Sequence, residues 1–209
     1  MRILFFGDSI TDMGRRREVD GVHLGNGYVF FVAGDIKRKD PCVEIINRGI
    51  SGNRIVDLYA RIKGDVWNEK PDVLSILIGV NDVAHEIFDK NGVELERFIK
   101  VYEMLISDTL KVLPKVKIIL CEPFVLKGEL TEENYQKFLQ VKEYAKAVKA
   151  LAEKYSIEFL PLQDELEKSA KKTSSKDYLY DGVHPDIAGA RLIADEWMKL
   201  YNEKIKKGY

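Results

Sequence analysis

The chain has 209 residues, of which 45% are hydrophobic and 32% charged, a balance typical of a single soluble domain covering residues 1–209. Its formal net charge is −1 at pH 7, so it lacks the basic field that attracts nucleic acid or an anionic membrane. No apolar run approaches the ~20 residues that span a bilayer. Asp8 interrupts the short N-terminal apolar stretch, so no signal peptide is predicted.

Five short apolar runs, rich in β-branched residues, leucine and phenylalanine, are predicted to be strands. Most of them do not alternate between apolar and polar residues, which is the pattern of strands buried on both faces of a parallel sheet. The predicted strands are Ile3–Phe6, Val43–Ile46, Val73–Ile78, Val116–Leu120 and Ile157–Leu160.

Segments of helical periodicity separate these strands, and Pro185 suits the first turn of the last one. This alternation predicts an α/β fold, a three-layer helix–sheet–helix sandwich around a five-stranded parallel, flavodoxin-like sheet. The stretch Lys168–Lys176 is predicted to be an exposed loop. The predicted helices are Tyr28–Arg38, Ile55–Lys70, Leu95–Val112, Asn134–Tyr155 and Asp186–Lys204.

Polar or glycine-containing segments follow the first three predicted strands and contain Ser9, Gly52 and Asn81. In open parallel sheets, ligands bind beyond the carboxyl ends of the strands. The three segments are therefore expected to converge on one site at that edge.

The first segment, Gly7-Asp8-Ser9, follows directly after a strand. Glycine permits a tight turn that lifts the serine side chain off the sheet. The Ser9 N–H would then lie at the start of a helical turn, a favourable place for negative charge. The alternative is structural, with Ser9 capping a helix and Asp8 making a turn.

The second and third segments offer hydrogen-bond donors. The loop around Gly52, Asn47-Arg48-Gly49-Ile50-Ser51-Gly52-Asn53, suits exposed N–H groups. Asn81, in Ile78-Gly79-Val80-Asn81-Asp82, carries a neutral amide that donates without titrating, which suits an oxyanion. Plain strand-to-helix turns explain both segments as well, since Asn-Asp is common turn chemistry.

An acid and an imidazole, Asp181 and His184, lie three residues apart near the end of the chain. A carboxylate that accepts from Nδ1–H fixes the imidazole tautomer and leaves Nε2 as a base. Of the other two histidines, His23 lies in a glycine-rich loop and His85 follows the Asn81 turn. His184 is therefore the predicted base, the alternative being a capped helix start.

These four segments, in this order, resemble the motif blocks of the GDSL or SGNH hydrolase superfamily of serine esterases. The resemblance covers almost the whole chain, although the first block reads Gly-Asp-Ser-Ile rather than Gly-Asp-Ser-Leu. It implies that Ser9 is the nucleophile, His184 the general base and Asp181 the residue that orients it. It also implies an oxyanion hole made by the Ser9 and Gly52 N–H groups and the Asn81 amide.

A narrower resemblance, to the sugar-acetyl esterases and especially the intracellular acetylxylan esterases, lies in the residues around Ser9, Gly52 and Asn81. It implies a small-molecule or oligosaccharide ester as the partner, with an acetyl ester of a carbohydrate as the expected substrate. Lysophospholipase, thioesterase and arylesterase activities remain alternatives, as does a non-catalytic flavodoxin-like binding module. The candidate substrate-binding residues are Asp8, Arg54 and Tyr180.

No cofactor and no metal site is predicted, because no His/Cys cluster has ligand spacing and Asp8, Asp12 and Asp82 suit turns. Cys42 and Cys121 are expected to be buried, reduced thiols of a cytoplasmic protein. The assembly state stays open, a homo-oligomer included. The run Arg15-Arg16-Arg17, answered by Glu18 and Asp20, is predicted to be a solvated loop.

Overall fold

A computed structural model describes residues 1–16 and 23–206, and at its centre lies an all-parallel sheet of five strands. The strands are β1 Arg2–Gly7, β2 Glu44–Gly49, β3 Val73–Leu77, β4 Lys117–Cys121 and β5 Glu158–Leu160. Their order across the sheet, β2-β1-β3-β4-β5, is the flavodoxin-like order. The predicted fold class is therefore confirmed, and no strand bound differs from its predicted position by more than three residues.

Helices and single helical turns connect the strands. The helices are α1 Ser9–Asp12, α2 Tyr28–Lys37, α3 Ile55–Ile62, α4 Val80–Asp89, α5 Leu95–Val112, α6 Tyr135–Phe138, α7 Val141–Tyr155, α8 Gln163–Ala170 and α9 Ile187–Leu200. Wider π turns extend α3 over Lys63–Trp67 and α9 over Tyr201–Ile205, and 3₁₀ turns cover Glu132–Asn134 and Ser175–Asp177. Helices α2 and α9 pack together on one face of the sheet, and α3, α5 and α7 on the other.

Some helices differ from the sequence prediction: α4 and α8 lie outside the predicted helices, and the predicted helix Asn134–Tyr155 is divided into α6 and α7. Helix α4 begins at Val80, where Gly-Val-Asn-Asp suggested only a turn, and α8 extends into the predicted loop Lys168–Lys176. Helix α4 buries a short apolar face, while α8 is strongly charged and buries mainly Leu166, so neither shows a long periodic signal.

The core lies on both faces of the sheet. The strands β1 to β4 are largely buried, and the Phe5 ring on β1 lies 5.1 Å from the indole of Trp197 on α9. Because both faces are covered, the strands read as continuous apolar runs rather than as alternating ones.

Strand register aligns the ends of the three strands that lead to the predicted site. Gly7 at the end of β1 pairs with Gly49 on β2 and with Leu77 on β3. The three chain segments that follow therefore leave the sheet side by side, at its carboxyl edge.

The environment of Cys42 differs from the prediction. Cys121 is buried, but Cys42 is exposed, because it lies in the turn before β2, where its N–H donates to Asp40 Oδ1 over 3.1 Å. The first buried residue there is the neighbouring Val43.

Of the predicted loop Arg15–Asp20, the residues from position 17 onward lie outside the described ranges. None of the helices within residues 1–16 and 23–206 has the length and apolar character that crossing a bilayer requires.

Candidate active site

Ser9 is the first residue of α1, directly beyond the end of β1. The Asp8 carboxylate caps this helical turn by accepting from the Ile10 N–H at 3.0 Å. A side chain at position 7 would clash, because its Cβ would lie 2.4 Å from both the Leu77 carbonyl oxygen and Thr11 Oγ1. Glycine therefore lets the turn sit tightly on the sheet edge, with the Ser9 hydroxyl in the pocket above it.

A continuous hydrogen-bonded chain joins Ser9, His184 and Asp181 across the molecule. Ser9 Oγ lies 2.8 Å from His184 Nε2, and His184 Nδ1 lies 2.7 Å from Asp181 Oδ2. The other carboxylate oxygen of Asp181 accepts from the backbone N–H groups of Val183 and His184, at 2.9 and 2.8 Å. The three predicted catalytic residues are thus brought together with the geometry of a nucleophile, a base and an orienting acid.

The pKa values of His184 and Asp181 are shifted in opposite directions. The hydrogen bond that His184 donates to Asp181 raises the pKa of His184 above its usual 6.5, and burial opposes this only in part. Burial by itself would raise the pKa of Asp181, but hydrogen bonds from His184 and from two backbone N–H groups hold that pKa below 3.8. Asp181 is therefore ionised wherever His184 titrates, and it stabilises the imidazolium.

Activity should be lost on acidification with a midpoint above pH 6.5, because only neutral His184 can accept a proton and its pKa is raised. The free energy of unfolding should change in the opposite direction with pH. The stabilisation that comes from His184 is fully present below the pKa of an unfolded histidine, and it is lost as the pH rises through the higher pKa of the folded state. A profile of kcat/KM against pH measures the first effect, and a midpoint below 6.5 would contradict it.

The predicted oxyanion donors surround the same edge. Gly52 adopts φ +81°, a left-handed conformation that favours glycine, in the loop that follows β2. Asp12 on α1 ties this loop down by accepting from the N–H and the hydroxyl of Ser51, both at 3.1 Å. In the described part of the chain, neither the Ser9 N–H nor the Gly52 N–H donates to a protein acceptor.

Asn81 lies in the first turn of α4, and its side chain is held by the Gly52 loop. One Nδ2 proton of Asn81 is donated to the Asn53 carbonyl oxygen over 3.0 Å. Next to it, the buried Asp82 accepts from the Ile55 N–H at the start of α3. The amide of Asn81 therefore has a fixed orientation and keeps a second N–H for a ligand.

Replacing Asn81 with alanine is expected to lower kcat by roughly 10²–10³-fold, the usual loss for one oxyanion donor, with KM little changed. Asn91 offers a matched control, because Asn91→Ala removes an amide from an exposed position near Arg54. Steady-state kinetics on an activated acetyl ester checks the prediction. A raised KM with unchanged kcat would make Asn81 a ground-state binding residue instead.

Asp8 and Asp82 are buried carboxyl groups beneath the site. Burial raises the pKa of Asp8 to about 7 and that of Asp82 to about 8, and in each case a backbone N–H bond opposes the shift. Asp8 is fully buried, so the structure does not bring this predicted substrate-binding residue into the pocket. Both acids instead hold the backbone that carries Ser9 and Asn81.

The other two predicted substrate-binding residues lie in different places. Arg54 is occupied by Asp57, at 3.0 Å, and by Asn91, at 2.6 Å to its carbonyl oxygen, and does not line the pocket. Tyr180 does line it, is 49% exposed, and stacks on the His184 ring with centroids 5.8 Å apart. Of the three, only Tyr180 is placed to contact a substrate next to Ser9.

Arg61 on α3 is a structural residue of the site that sequence analysis missed. Its guanidinium lies 4.4 Å from the centre of the Phe6 ring and donates to the carbonyl oxygens of Gly7 and Arg48, at 3.1 and 2.9 Å. It also donates to Asn53 Oδ1 at 2.7 Å. An arginine placed three residues after the buried Leu58 of an amphipathic helix was the available signal.

A pocket of about 600 Å³ opens above Ser9 and His184. Its walls come from the segments after α1, from Phe30 on α2, from Ser51 and from Tyr180. No group of three or more His, Cys, Asp or Glu side chains in residues 1–16 and 23–206 is arranged to hold a metal ion. The pocket thus presents the Ser9 hydroxyl and the His184 imidazole, whereas Gly52 and Asn81 are not among the residues that line it.

Comparisons with known proteins identify the family to which the chain belongs. The model of the GDSL-like lipase/acylhydrolase family matches residues 5–192. An acetylxylan esterase from Geobacillus stearothermophilus is 36% identical over 205 residues, which cover 95% of this chain and 92% of that protein. Its crystal structure superposes with a TM-score of 0.85 at 34% identity, covering 95% and 92% of the two chains. A crystal structure from Parabacteroides merdae, assigned to the GDSL-like lipases, gives 0.89 at 36% identity and covers 96% and 95%.

Catalytic mutants of the Geobacillus enzyme superpose equally well. In three of them a serine, an aspartate or a histidine is replaced by alanine, and the TM-scores are 0.84, 0.85 and 0.85. Family match and overall identity agree with each other and with the fold. The chain belongs to the GDSL-like lipase/acylhydrolase family and is a carboxylic ester hydrolase.

Proposed function

We propose that this protein is a serine esterase that removes short acyl groups, acetyl above all, from carbohydrate esters through an acyl-enzyme. The observation that carries the proposal is the unbroken chain from Ser9 Oγ to His184 Nε2 at 2.8 Å and from His184 Nδ1 to Asp181 Oδ2 at 2.7 Å. Since the base touches the hydroxyl and is itself oriented, Ser9 is activated for attack.

The reaction proceeds by two acyl transfers. Ser9 Oγ attacks the ester carbonyl while His184 takes its proton, and Asp181 stabilises the imidazolium that forms. The tetrahedral oxyanion is held by the Ser9 and Gly52 N–H groups and by Asn81. Collapse breaks the bond to the alcohol, which leaves with the proton from His184. A water molecule, deprotonated by His184, then releases the acid and regenerates Ser9.

The relatives support these roles. In the Geobacillus acetylxylan esterase, mutants of one serine, one aspartate and one histidine are described as catalytic, and the last two are three positions apart. Asp181 and His184 have the same separation here and contact each other. The same relative, which is 36% identical over 95% of this chain, is the basis for proposing acetylated xylo-oligosaccharides as substrates.

The pocket favours a polar alcohol over a lipid. Beside Ser9 it presents Asn26 and Ser51, with the rings of Phe30 and Tyr180 at its edge. Exposed rings next to polar groups suit a sugar, which has apolar faces and a hydroxylated rim. A short acyl group fits this arrangement because a long chain would require a continuous apolar groove.

An acyl-length series on one leaving group tests the substrate proposal. We expect kcat/KM to be highest for acetyl and to fall for butyryl and longer esters, and acetate to be released from acetylated xylo-oligosaccharides. A long apolar pocket would give the opposite trend, since each further buried CH₂ contributes about 0.8 kcal/mol. A steady climb with chain length and no release from the sugars would contradict the proposal. The single-domain organisation and the cytoplasmic location remain predictions, and the assembly state stays open.

A further inference from the structure

One wall of the pocket is formed by two chain segments, residues 13–16 and 23–26. They are paired through their backbones, because the Asn26 N–H donates to the Met13 carbonyl oxygen over 3.0 Å and the Arg16 N–H donates to the His23 carbonyl oxygen over 3.1 Å. The first segment continues directly from α1, which carries Ser9. The wall is thus attached to the nucleophile's own turn.

The Arg16 guanidinium places a positive charge on this wall of the pocket. Arg16 and His23 are both exposed and line the pocket, whereas none of its described lining residues is an aspartate or glutamate. Arg16 forms no ion pair with any described residue. The catalytic carboxylate, Asp181, is already engaged by three N–H groups. The charge of Arg16 is therefore not neutralised by the groups that line the pocket.

A neutral sugar ester makes no use of such a charge. A guanidinium presents a planar fork of donors that matches a carboxylate, and a charge-assisted pair of this kind is stronger than a bond between neutral groups. A cleft lined by one sign of charge also raises the local concentration of ligands of the opposite sign. These features point to an anionic substrate, although the chain as a whole has a net charge of −1.

We propose that Arg16, with His23 beside it, binds a carboxylate on the sugar ester, so that acetyl esters of saccharides carrying a uronic acid are the preferred substrates. The inference rests on the proposed function and narrows its substrate class. In the bound complex the acetyl group faces Ser9, the sugar faces lie along Phe30 and Tyr180, and the carboxylate lies at the wall of residues 13–16 and 23–26.

The test compares acetylated xylo-oligosaccharides of equal length with and without a glucuronic acid branch. For the unaltered protein we expect kcat/KM to favour the acidic substrate by about tenfold, the effect of one charge-assisted bond, mainly through KM. Arg16→Gln should remove most of this preference. Arg38→Gln, at the exposed end of α2 and outside the pocket, changes the net charge equally and should keep it. Equal kcat/KM on the two substrates would overturn the proposal, as would loss of the preference in Arg38→Gln.

A competition assay separates this proposal from the proposed function. Hydrolysis of an activated acetyl ester is measured with glucuronate, glucose or glucose 6-phosphate as inhibitor, so no sugar ester has to be turned over. We expect glucuronate to inhibit about tenfold more strongly than glucose, and this difference to disappear in Arg16→Gln and in high salt. Stronger inhibition by glucose 6-phosphate than by glucuronate would assign the site to phosphorylated sugars and would contradict the proposal that it binds a carboxylate. Equal inhibition by glucuronate and glucose would overturn the anion site itself, even if acetylated sugars are substrates.

Discussion

Ser9→Ala is expected to lower kcat for ester hydrolysis by roughly 10⁶-fold, the loss seen when the nucleophile of a serine triad is removed. The hydroxyl of Ser9 contacts the Nε2 atom of His184 at 2.8 Å. Without it no acyl-enzyme can form, and only the slow attack of water in the oxyanion hole remains. Turnover of an activated acetyl ester by the purified variant measures the effect.

A matched control is Ser107→Ala, which removes a partly exposed serine hydroxyl on α5 whose one hydrogen-bond partner among the described residues is the Met104 carbonyl oxygen. Circular dichroism and a thermal melt should show that both variants fold like the unaltered protein. Near-normal turnover by Ser9→Ala would remove Ser9 from the mechanism.

Asp181→Asn is expected to lower kcat by about 10⁴-fold, although the side chain keeps its size. Three N–H groups converge on this carboxylate, from His184 Nδ1 and from the backbone of Val183 and His184. An amide has one acceptor oxygen and one NH₂ group, so it cannot accept from all three. If the NH₂ group faces the ring, Nδ1 must accept and the proton moves to Nε2, where it blocks the base. If it faces the backbone, its N–H groups lie against the backbone N–H groups of Val183 and His184, and no hydrogen bond forms between them.

The pH profile separates this loss from a simple structural defect. Without the carboxylate that raises its pKa, His184 should titrate at lower pH, so the remaining activity should persist to more acidic solution. Asp195→Asn, on the exposed side of α9, removes one carboxylate elsewhere and should leave the profile unchanged. Full activity in Asp181→Asn, or an unshifted acid limb, would show that Asp181 does not orient the base.

The grouping of the predicted site residues could be anticipated from the sequence because three of them follow strand ends. Parallel strands place their carboxyl ends at one edge, so Ser9, Gly52 and Asn81 had to leave the sheet together. In the structure, Gly7 pairs with Gly49 and with Leu77, so the ends of these three strands lie side by side. Asp181 and His184 were predictable from spacing, since a three-residue offset lets one side chain reach the other.

The surroundings of the site were less predictable, because they depend on contacts between residues distant in sequence. Asp8 is adjacent to the nucleophile in sequence, yet it points into the core and caps the turn instead of reaching the pocket. Arg54 is drawn away by Asp57 and Asn91. The wall carrying Arg16 forms through backbone hydrogen bonds, which leave no mark on residue type.

The central claim is that Ser9 becomes covalently acylated, and labelling with a fluorophosphonate tests it most directly. The reagent requires an activated serine and mimics the tetrahedral intermediate, so peptide mapping reveals which hydroxyl attacks. We expect one label per chain, on Ser9, in step with the loss of esterase activity, and no label in Ser9→Ala. A stoichiometric label on any other residue, or full activity in labelled protein, would contradict the account.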